Sequence, residues 1–145
     1  MKLQPNYIKL RKKHLRQPHG IERRRHILRI GVYGLKALQL GFISSNQIET
    51  IRRTLNKKLK VEDTNRVRRR FSRVWTRIFP DVPVTSLGAE SRMGKGKGST
   101  ESWTCPVKPG QILFEFSGTT DSTAIDILRY VSVRLPIRVK LVYII

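Results

Sequence analysis

The sequence predicts an α+β fold, built as a two-layer single domain in which a mixed sheet carries two helices. Two stretches repeat apolar residues at helical spacing, and several others are rich in strand-forming residues. Their order is strand, helix, strand, long loop, hairpin, helix and strand. We expect a basic arm at 1–25 and a domain at 26–145, with extended loops at about 60–73 and 80–100. The length of 145 residues is usual for one domain.

The N-terminal half of the domain contains a strand and a capped helix. The first predicted strand, at 26–38, is interrupted by Gly31 and Gly34, which indicate a bulge or a close backbone neighbour. Ser44 followed three residues later by Gln47 fits a capping box and predicts the start of a helix. The apolar face of this helix consists of Ile48, Ile51, Leu55 and Leu59.

Two long loops are predicted between this helix and the C-terminal half. Residues 60–73 are polar, dense in charge and without apolar periodicity, so we expect an extended loop there. The strand RVWTRIF follows and ends before Pro80. From Pro80 to Thr100 no helix or strand is predicted, and loops of this length in compact domains are usually functional or disordered.

The C-terminal half is predicted to contain a hairpin, a helix and a strand. SWTCPV and QILFEFSG flank Pro109-Gly110, which predicts a β-hairpin. Thr120 and Asp121 are placed to cap the second helix, and Pro136 ends it. The apolar stripe of this helix is Ala124, Leu128, Val131 and Leu135. The last strand is IRVKLVYII.

The charge balance points to a polyanionic partner. Thirty Lys and Arg against ten Asp and Glu give a formal net charge of +20, and such a surplus repels itself unless an anion neutralises it. A membrane binder would need a basic amphipathic helix with a broad apolar face. No apolar run approaches the roughly 20 residues that span a bilayer. We therefore expect nucleic acid, and no membrane, as the partner.

Cofactor and metal chemistry find little support in the composition. The single Cys105 excludes an intramolecular disulfide framework and a Cys-rich zinc site, and the three histidines are scattered. We expect no cofactor, no metal, no homo-oligomer and a reducing compartment. The N-terminal segment lacks the apolar core of a signal peptide and the serine content of a transit peptide, so we expect it to be part of the mature protein.

Candidate nucleic-acid-binding cations are spread over the arm, the first helix and the loops. The arm has too little apolar periodicity to fold alone and is expected to order on a partner, although a solubilising tail is the alternative. On the first helix Glu49 offers a partner to Arg53, and a charged face of this kind is often simply solvated. The candidates are Lys9, Arg11, Lys12, Lys13, His14, Arg16, Arg23, Arg24, Arg25, Arg52, Arg53, Arg68, Arg69, Arg70, Arg73, Arg77, Arg92, Lys95 and Lys97.

The stretch RMGKGKGSTESW, residues 92–103, alternates glycines with lysines. A Walker A loop needs Gly, four residues and then Gly-Lys-Ser/Thr, but each lysine here is followed by a glycine. The spacing of a dinucleotide or kinase glycine loop also fails. No acid/base or nucleophile set with a recognisable motif is present. We therefore expect no enzymatic activity.

An extended chain would place Lys95 and Lys97 on one edge of a thin ribbon and leave the glycine edge bare. Such a ribbon fits a narrow cleft between phosphate backbones. A flexible linker is the alternative, but linkers favour Gly and Ser. Since there is no RRM signature, zinc finger or basic zipper, the charges favour shape recognition of a folded RNA through phosphates and 2′-hydroxyls.

Several motifs resemble those of a known family. RMGKGKG, four further residues and Trp103 match one signature of the ribosomal protein L-sixteen family of the large subunit, and RVWTRIFPD resembles its second. Shorter pieces occur in the same order from end to end: LQP, KLRKKH, YGLKAL, QIE, VKPG, ILFE and RLPI.

The resemblance implies an α/β-hammerhead type of α+β fold and a structural, non-catalytic protein. Such a protein binds large-subunit rRNA near the tRNA sites and the peptidyl transferase region, supports A-site tRNA placement and joins late in assembly. Its partners would be rRNA, tRNA and neighbouring ribosomal proteins, with the basic arm threading into rRNA. The tRNA-facing loop would be Arg92, Met93, Gly94, Lys95, Gly96, Lys97 and Gly98.

Some segments depart from the family pattern. The stretch before Trp75 is several residues longer than in bacterial members, Thr76 stands where an aliphatic residue is usual, and the arm has LRQPHG where a Gly-Arg pair is common. These departures suggest a mitochondrion-encoded member in the mitochondrial ribosome, with the bacterial cytoplasm as the alternative. A stand-alone nucleic-acid chaperone remains the alternative function.

Overall fold

The computed structural model describes residues 3–6, 12–64, 72–92, 94 and 96–144, without the side chains of 61–64. These residues form two helices and two sheets, which confirms the predicted α+β class. The strands are β1 (Tyr33–Ala37), β2 (Gly41–Ser44), β3 (Arg73–Thr76), β4 (Val82–Ser86), β5 (Ser99–Val107), β6 (Ile112–Ser117) and β7 (Val139–Tyr143). The helices are α1 (Ser45–Thr64) and α2 (Asp121–Ser132).

The strands are divided between two sheets rather than gathered in one mixed sheet. One sheet has the order β3-β6-β1-β7 and the other β2-β5-β4. All of these pairings are antiparallel. Helix α1 contacts β2, β3 and β5, α2 contacts β7, and the two helices touch each other. The hydrophobic core combines residues from both sheets and both helices, including Leu35, Ile51, Phe114 and Val131.

The start of α1 confirms the predicted capping box. Gln47 Oε1 accepts the N–H of Ser44 at 2.9 Å, and Ser44 Oγ accepts the N–H of Gln47 at 3.3 Å, so two otherwise unpaired donors are satisfied. All four predicted apolar-face residues are buried, with at most 2% exposed. The helix continues to Thr64, so the loop expected at 60–73 does not begin at residue 60. The last four helical residues, 61–64, have the sequence VEDT, which lacks an apolar repeat at helical spacing, so the sequence pattern did not extend the helix to them.

The segment predicted to lack regular structure, 80–100, contains β4 and the start of β5. Strand β4 includes Pro83, which pairs with Trp103 of β5. A proline has no N–H to donate, and it is tolerated here because β4 is an edge strand. The proline made this stretch unlike a strand in sequence, so the prediction was wrong for residues 82–86.

The predicted hairpin is also wrong, although its turn is present. Gln111 donates its N–H to the Lys108 carbonyl at 3.2 Å, and Gly110 has φ +89°. Pro at the second and a positive-φ glycine at the third position are typical of a type II turn, whose twist splays the flanking strands. Strands β5 and β6 leave the turn into different sheets, because β5 pairs with β2 and β4 whereas β6 pairs with β1 and β3.

The first predicted strand, at 26–38, is shorter than expected, since β1 covers only Tyr33–Ala37. The close neighbour expected at the glycines is confirmed at Gly31, where a Cβ would lie 2.8 Å from the Phe116 backbone nitrogen. The pairing of β1 with β6 also shifts between Leu35 and Lys36.

Helix α2 has the predicted apolar stripe and one further buried residue. Ala124 and Val131 are buried and Leu128 is partly buried, as the spacing indicates. Leu135 is also buried, but it lies beyond the helix, which ends at Ser132 and not next to Pro136 as predicted. Ile127 is also buried. Thr120 occupies the N-cap position. Neither helix of the described chain is long and apolar enough to cross a membrane.

Candidate nucleic-acid interface

The arm and the glycine–lysine loop (residues 92–98) lie against each other. Lys12 Nζ donates to the Lys97 carbonyl at 2.6 Å, and Lys97 Nζ donates to the Lys13 carbonyl at 2.8 Å. All three residues are exposed. Two regions far apart in sequence therefore form one cationic surface, which the separate sequence patterns did not indicate.

The described glycines of the glycine–lysine loop do not have the backbone of an extended strand. Gly94 and Gly96 have φ of +87° and +84°, in the left-handed region that glycine adopts most readily, whereas the expected placement of Lys95 beside Lys97 involves a residue outside the description. Gly98 has a different role, because a Cβ there would lie 2.0 Å from the Ser86 carbonyl oxygen. This close approach anchors the base of the loop where β4 and β5 begin to pair. Met93 and Lys95 lie outside the described residues.

The root of the arm is fastened to the turn between β5 and β6. Glu22 donates its N–H to the Pro109 carbonyl at 3.0 Å, and its carboxylate accepts the N–H groups of Arg24 and Arg25 at 3.0 and 3.3 Å. The N–H of Ile112 reaches the Arg25 carbonyl at 2.9 Å. Glu22 thus fixes the backbone, while the predicted cations at 23–25 are exposed.

Helix α1 holds two predicted RNA-binding arginines on one carboxylate. Arg52 donates to both oxygens of Glu49 at 2.8 and 2.9 Å, and Arg53 donates at 3.0 Å. The hydrogen bond from Arg52, then that from Arg53 and the charges of both, outweigh desolvation and lower the pKa of Glu49 to about 2. The group carries a net +1 instead of the +2 of two free arginines. The expected Glu49–Arg53 pair is present.

Arg77 lies in a structural arrangement centred on Glu115, which the sequence analysis missed. Glu115 is fully buried on β6 and pairs with the Arg77 guanidinium, whose side chain is 17% exposed. Its carboxylate also accepts the backbone N–H groups of residues 29–31, the closest two at 2.8 Å. An acidic residue in the middle of the apolar run ILFEFS was the available signal.

The Glu115 carboxylate remains charged despite its burial. Burial raises the pKa of Glu115, but the three backbone N–H donors and the charge of Arg77 outweigh it and leave the pKa below its usual value. The backbone of 29–31 bonds to this side chain instead of continuing the β1 ladder, which explains the short strand. Arg77 is therefore held within the fold, unlike the exposed Arg73 on β3.

The other predicted cations divide into exposed residues and residues outside the description. Those that are exposed are Lys12, Lys13, His14, Arg16, Arg23, Arg24, Arg25, Arg53, Arg73, Arg92 and Lys97. Those outside the described residues are Lys9, Arg11, Arg68, Arg69, Arg70 and Lys95. Within the described chain, the ion pairs involve Arg52, Arg53, Arg77 and Arg129. The described arm and loop cations form no ion pair with a carboxylate there and are available to an external anion.

The described part of the chain shows neither a cluster of metal ligands nor a reactive thiol. No three His, Cys, Asp or Glu side chains converge there to hold a metal ion. Burial, followed by the charge of Asp81, raises the pKa of the Cys105 thiol to about 11. The thiol is therefore protonated and unreactive at neutral pH.

Comparison with known proteins agrees with the sequence motifs. The profile of the family described as ribosomal protein L16p/L10e matches residues 5–142. The chain is 44% identical to a protein of Maricaulis maris, 42% to one of Chelativorans sp. and 41% to one of Cereibacter sphaeroides, each named large ribosomal subunit protein uL16. Each alignment spans 140 residues, 97% of this chain and 96% of the relative. The chain therefore belongs to the ribosomal protein L16p/L10e family, as its motifs indicate.

Proposed function

We propose that this protein is a structural constituent of the large ribosomal subunit, and that the arm and the glycine–lysine loop bind large-subunit rRNA as one surface. Membership of a ribosomal family supports the structural role and confirms that the protein is not an enzyme. Its partners are rRNA and neighbouring ribosomal proteins. The observation that supports this surface is the reciprocal contact of Lys12 and Lys97 with each other's segment.

The contact favours RNA backbone as the ligand. It brings exposed ammonium groups together in a region where the described residues supply no paired carboxylate. Like charges repel, so an external anion gains from binding between them. A folded RNA supplies phosphates from several strands at once, which matches two cationic segments joined at one place.

Double-mutant binding measurements test this surface. We expect Lys12→Ala and Lys97→Ala each to weaken binding to large-subunit core particles that lack this protein, and each to flatten the salt dependence of log K by about 0.7–0.9, the value for one phosphate contact. The fold-loss of affinity in the double variant should be smaller than the product of the two single fold-losses, because each lysine also orients the other's segment. Lys140→Ala, an exposed lysine on β7 in the other sheet, is the matched control. Equal binding by all four variants would contradict the proposal.

The proposal extends to tRNA through the tip of the loop. By resemblance, residues 92–98 point toward the tRNA sites, support A-site tRNA placement and act late in assembly. We expect Lys95→Ala combined with Lys97→Ala to leave the fold intact but to slow tRNA accommodation or subunit maturation. Crosslinks from this loop to tRNA in native ribosomes test the contact directly. Normal translation and normal subunit profiles in the double variant would refute it.

Ribosomal location is common to the relatives, while the compartment is a separate question. The three relatives named above are bacterial, so they favour the bacterial cytoplasm and give the mitochondrial prediction no support.

Sedimentation separates a ribosomal constituent from a stand-alone chaperone. A constituent stays with the large subunit through a moderate salt wash, whereas a chaperone is washed off.

A further inference from the structure

A second cationic cluster lies where α1 meets α2. Lys58 Nζ of α1 is 3.9 Å from the centre of the Tyr130 ring of α2, and the guanidinium carbon of Arg134 is 5.9 Å from it. These residues line an open groove of about 660 Å³ together with Asp126, Arg129 and Val133. None of the six belongs to the arm or to the glycine–lysine loop.

The fold holds this cluster in position. Arg134 Nη1 donates to the Tyr130 carbonyl at 2.9 Å, at the C-terminal end of α2, which fixes the guanidinium beside the ring. Arg129 pairs with Asp126 at 3.4 Å. Three cations against one carboxylate leave the groove at +2. Tyr130 is 45% exposed and Val133 is 86% exposed, so the groove presents an aromatic ring and positive charge to the exterior.

We propose that this groove is a second RNA-binding site, in which Tyr130 stacks on an unpaired base while Lys58 and Arg134 bind the flanking phosphates. The inference rests on the proposed function, because it assumes that the protein is seated on rRNA. Single-stranded RNA is recognised by aromatic rings that stack on bases and by cations that follow the backbone. The groove combines both features.

The energetics permit the base to replace the lysine on the ring. The Tyr130 ring is exposed, and a cation–π contact on an exposed ring is weaker than a base–aromatic stack. The displaced Lys58 ammonium then moves to a phosphate, with which it interacts more strongly than with the ring. A protein partner is a poorer fit, because the core of a protein–protein interface is depleted of lysine and burying two uncompensated cations is costly.

Substitutions at Tyr130 test the stack. In binding to large-subunit core particles that lack this protein, Tyr130→Ala should weaken the affinity roughly 5- to 150-fold, the range for loss of one base–aromatic stack. Tyr130→Phe keeps the ring and should bind like the original chain. Tyr130→Leu keeps an apolar side chain without a ring, so its affinity should fall as much as that of Tyr130→Ala. Thermal unfolding of each variant checks that the fold is unchanged, and the leucine variant serves if the alanine variant does not fold.

The nature of the ligand is read from a crosslink. A benzoylphenylalanine placed at position 130 should crosslink to rRNA in assembled subunits. A crosslink to a ribosomal protein, or binding by the leucine variant equal to that of the original chain, would overturn the inference. If the arm and loop variants lose binding while Tyr130→Ala does not, only this inference fails. If the original chain does not bind the particles at all, the proposed function fails with it.

Discussion

Replacing Glu115 with glutamine should destabilise the fold by about 3 kcal/mol at pH 7. Glutamine keeps the size of the side chain, but its NH₂ group is a donor among the backbone donors of residues 29–31. The change also leaves the Arg77 guanidinium without its carboxylate. Breaking a buried ion pair from one side costs about 3–5 kcal/mol, and the 17% exposure of Arg77 places the expected cost at the lower end.

Thermal and urea unfolding measure this loss. A cost of about 3 kcal/mol lowers the Tm of a chain of this size by roughly 6–12 °C. Glu101→Gln removes an exposed carboxylate from β5 and is the matched control, with a change below about 0.5 kcal/mol. The double variant Glu115→Gln, Arg77→Met should lose less than the sum of its single variants, since it leaves no unpaired cation.

The pH dependence of the same pair gives a second test. The pKa of Glu115 is lowered in the folded protein, so its contribution to stability is complete above the unfolded pKa of about 4.5 and is lost as the pH falls through the folded pKa. The difference in stability between the original chain and Glu115→Gln should therefore be constant at neutral pH and shrink as the pH falls below about 4.5. A glutamine variant as stable as the original chain at pH 7 would refute this account of the Arg77–Glu115 centre.

Three further predictions concern the loop, the helix cap and the buried thiol. Gly98→Ala should unfold at a lower temperature than Gly94→Ala. A Cβ at position 98 would clash with the Ser86 carbonyl, whereas a Cβ at position 94 has open space around it and costs only the strain of a positive φ. Equal Tm values for the two variants would contradict this. Ser44→Ala should cost about 1 kcal/mol in urea unfolding by removing the cap of α1, and an unchanged midpoint would show the cap to be unimportant. Cys105, with a thiol pKa of about 11, should resist alkylation at pH 8 in the folded protein and react only on unfolding, which mass spectrometry follows; rapid native labelling would show the burial to be wrong.

The parts of the fold that sequence could predict are those set by near neighbours in the chain. Ser44 and Gln47 are three residues apart, and the apolar face of α1 repeats within the same helix, so both were correct. Pro83 has local properties that argue against a strand. Only its position on a sheet edge, set by pairing with distant β5, makes it acceptable.

Non-local arrangements account for the remaining differences. A Pro-Gly turn looks alike in a hairpin and in a crossing between sheets, and the partners of β5 and β6 decide which one forms. The candidate site shows the same division. Its cations could be identified from the sequence. The contact of Lys12 with Lys97 and the ion pair of Arg77 with Glu115, however, join residues that are far apart in the sequence.

The pairing of β1 with β7 sets the order in which a newly made chain can become native. Ala37 pairs with Val139, so a chain growing from its N-terminus exposes the partnerless side of β1 until Val139 has been synthesised. Its cationic arm emerges long before the body that carries it can close. A nascent chain of this kind therefore presents its positive charge to nearby polyanions before the sheet that contains β1 is complete.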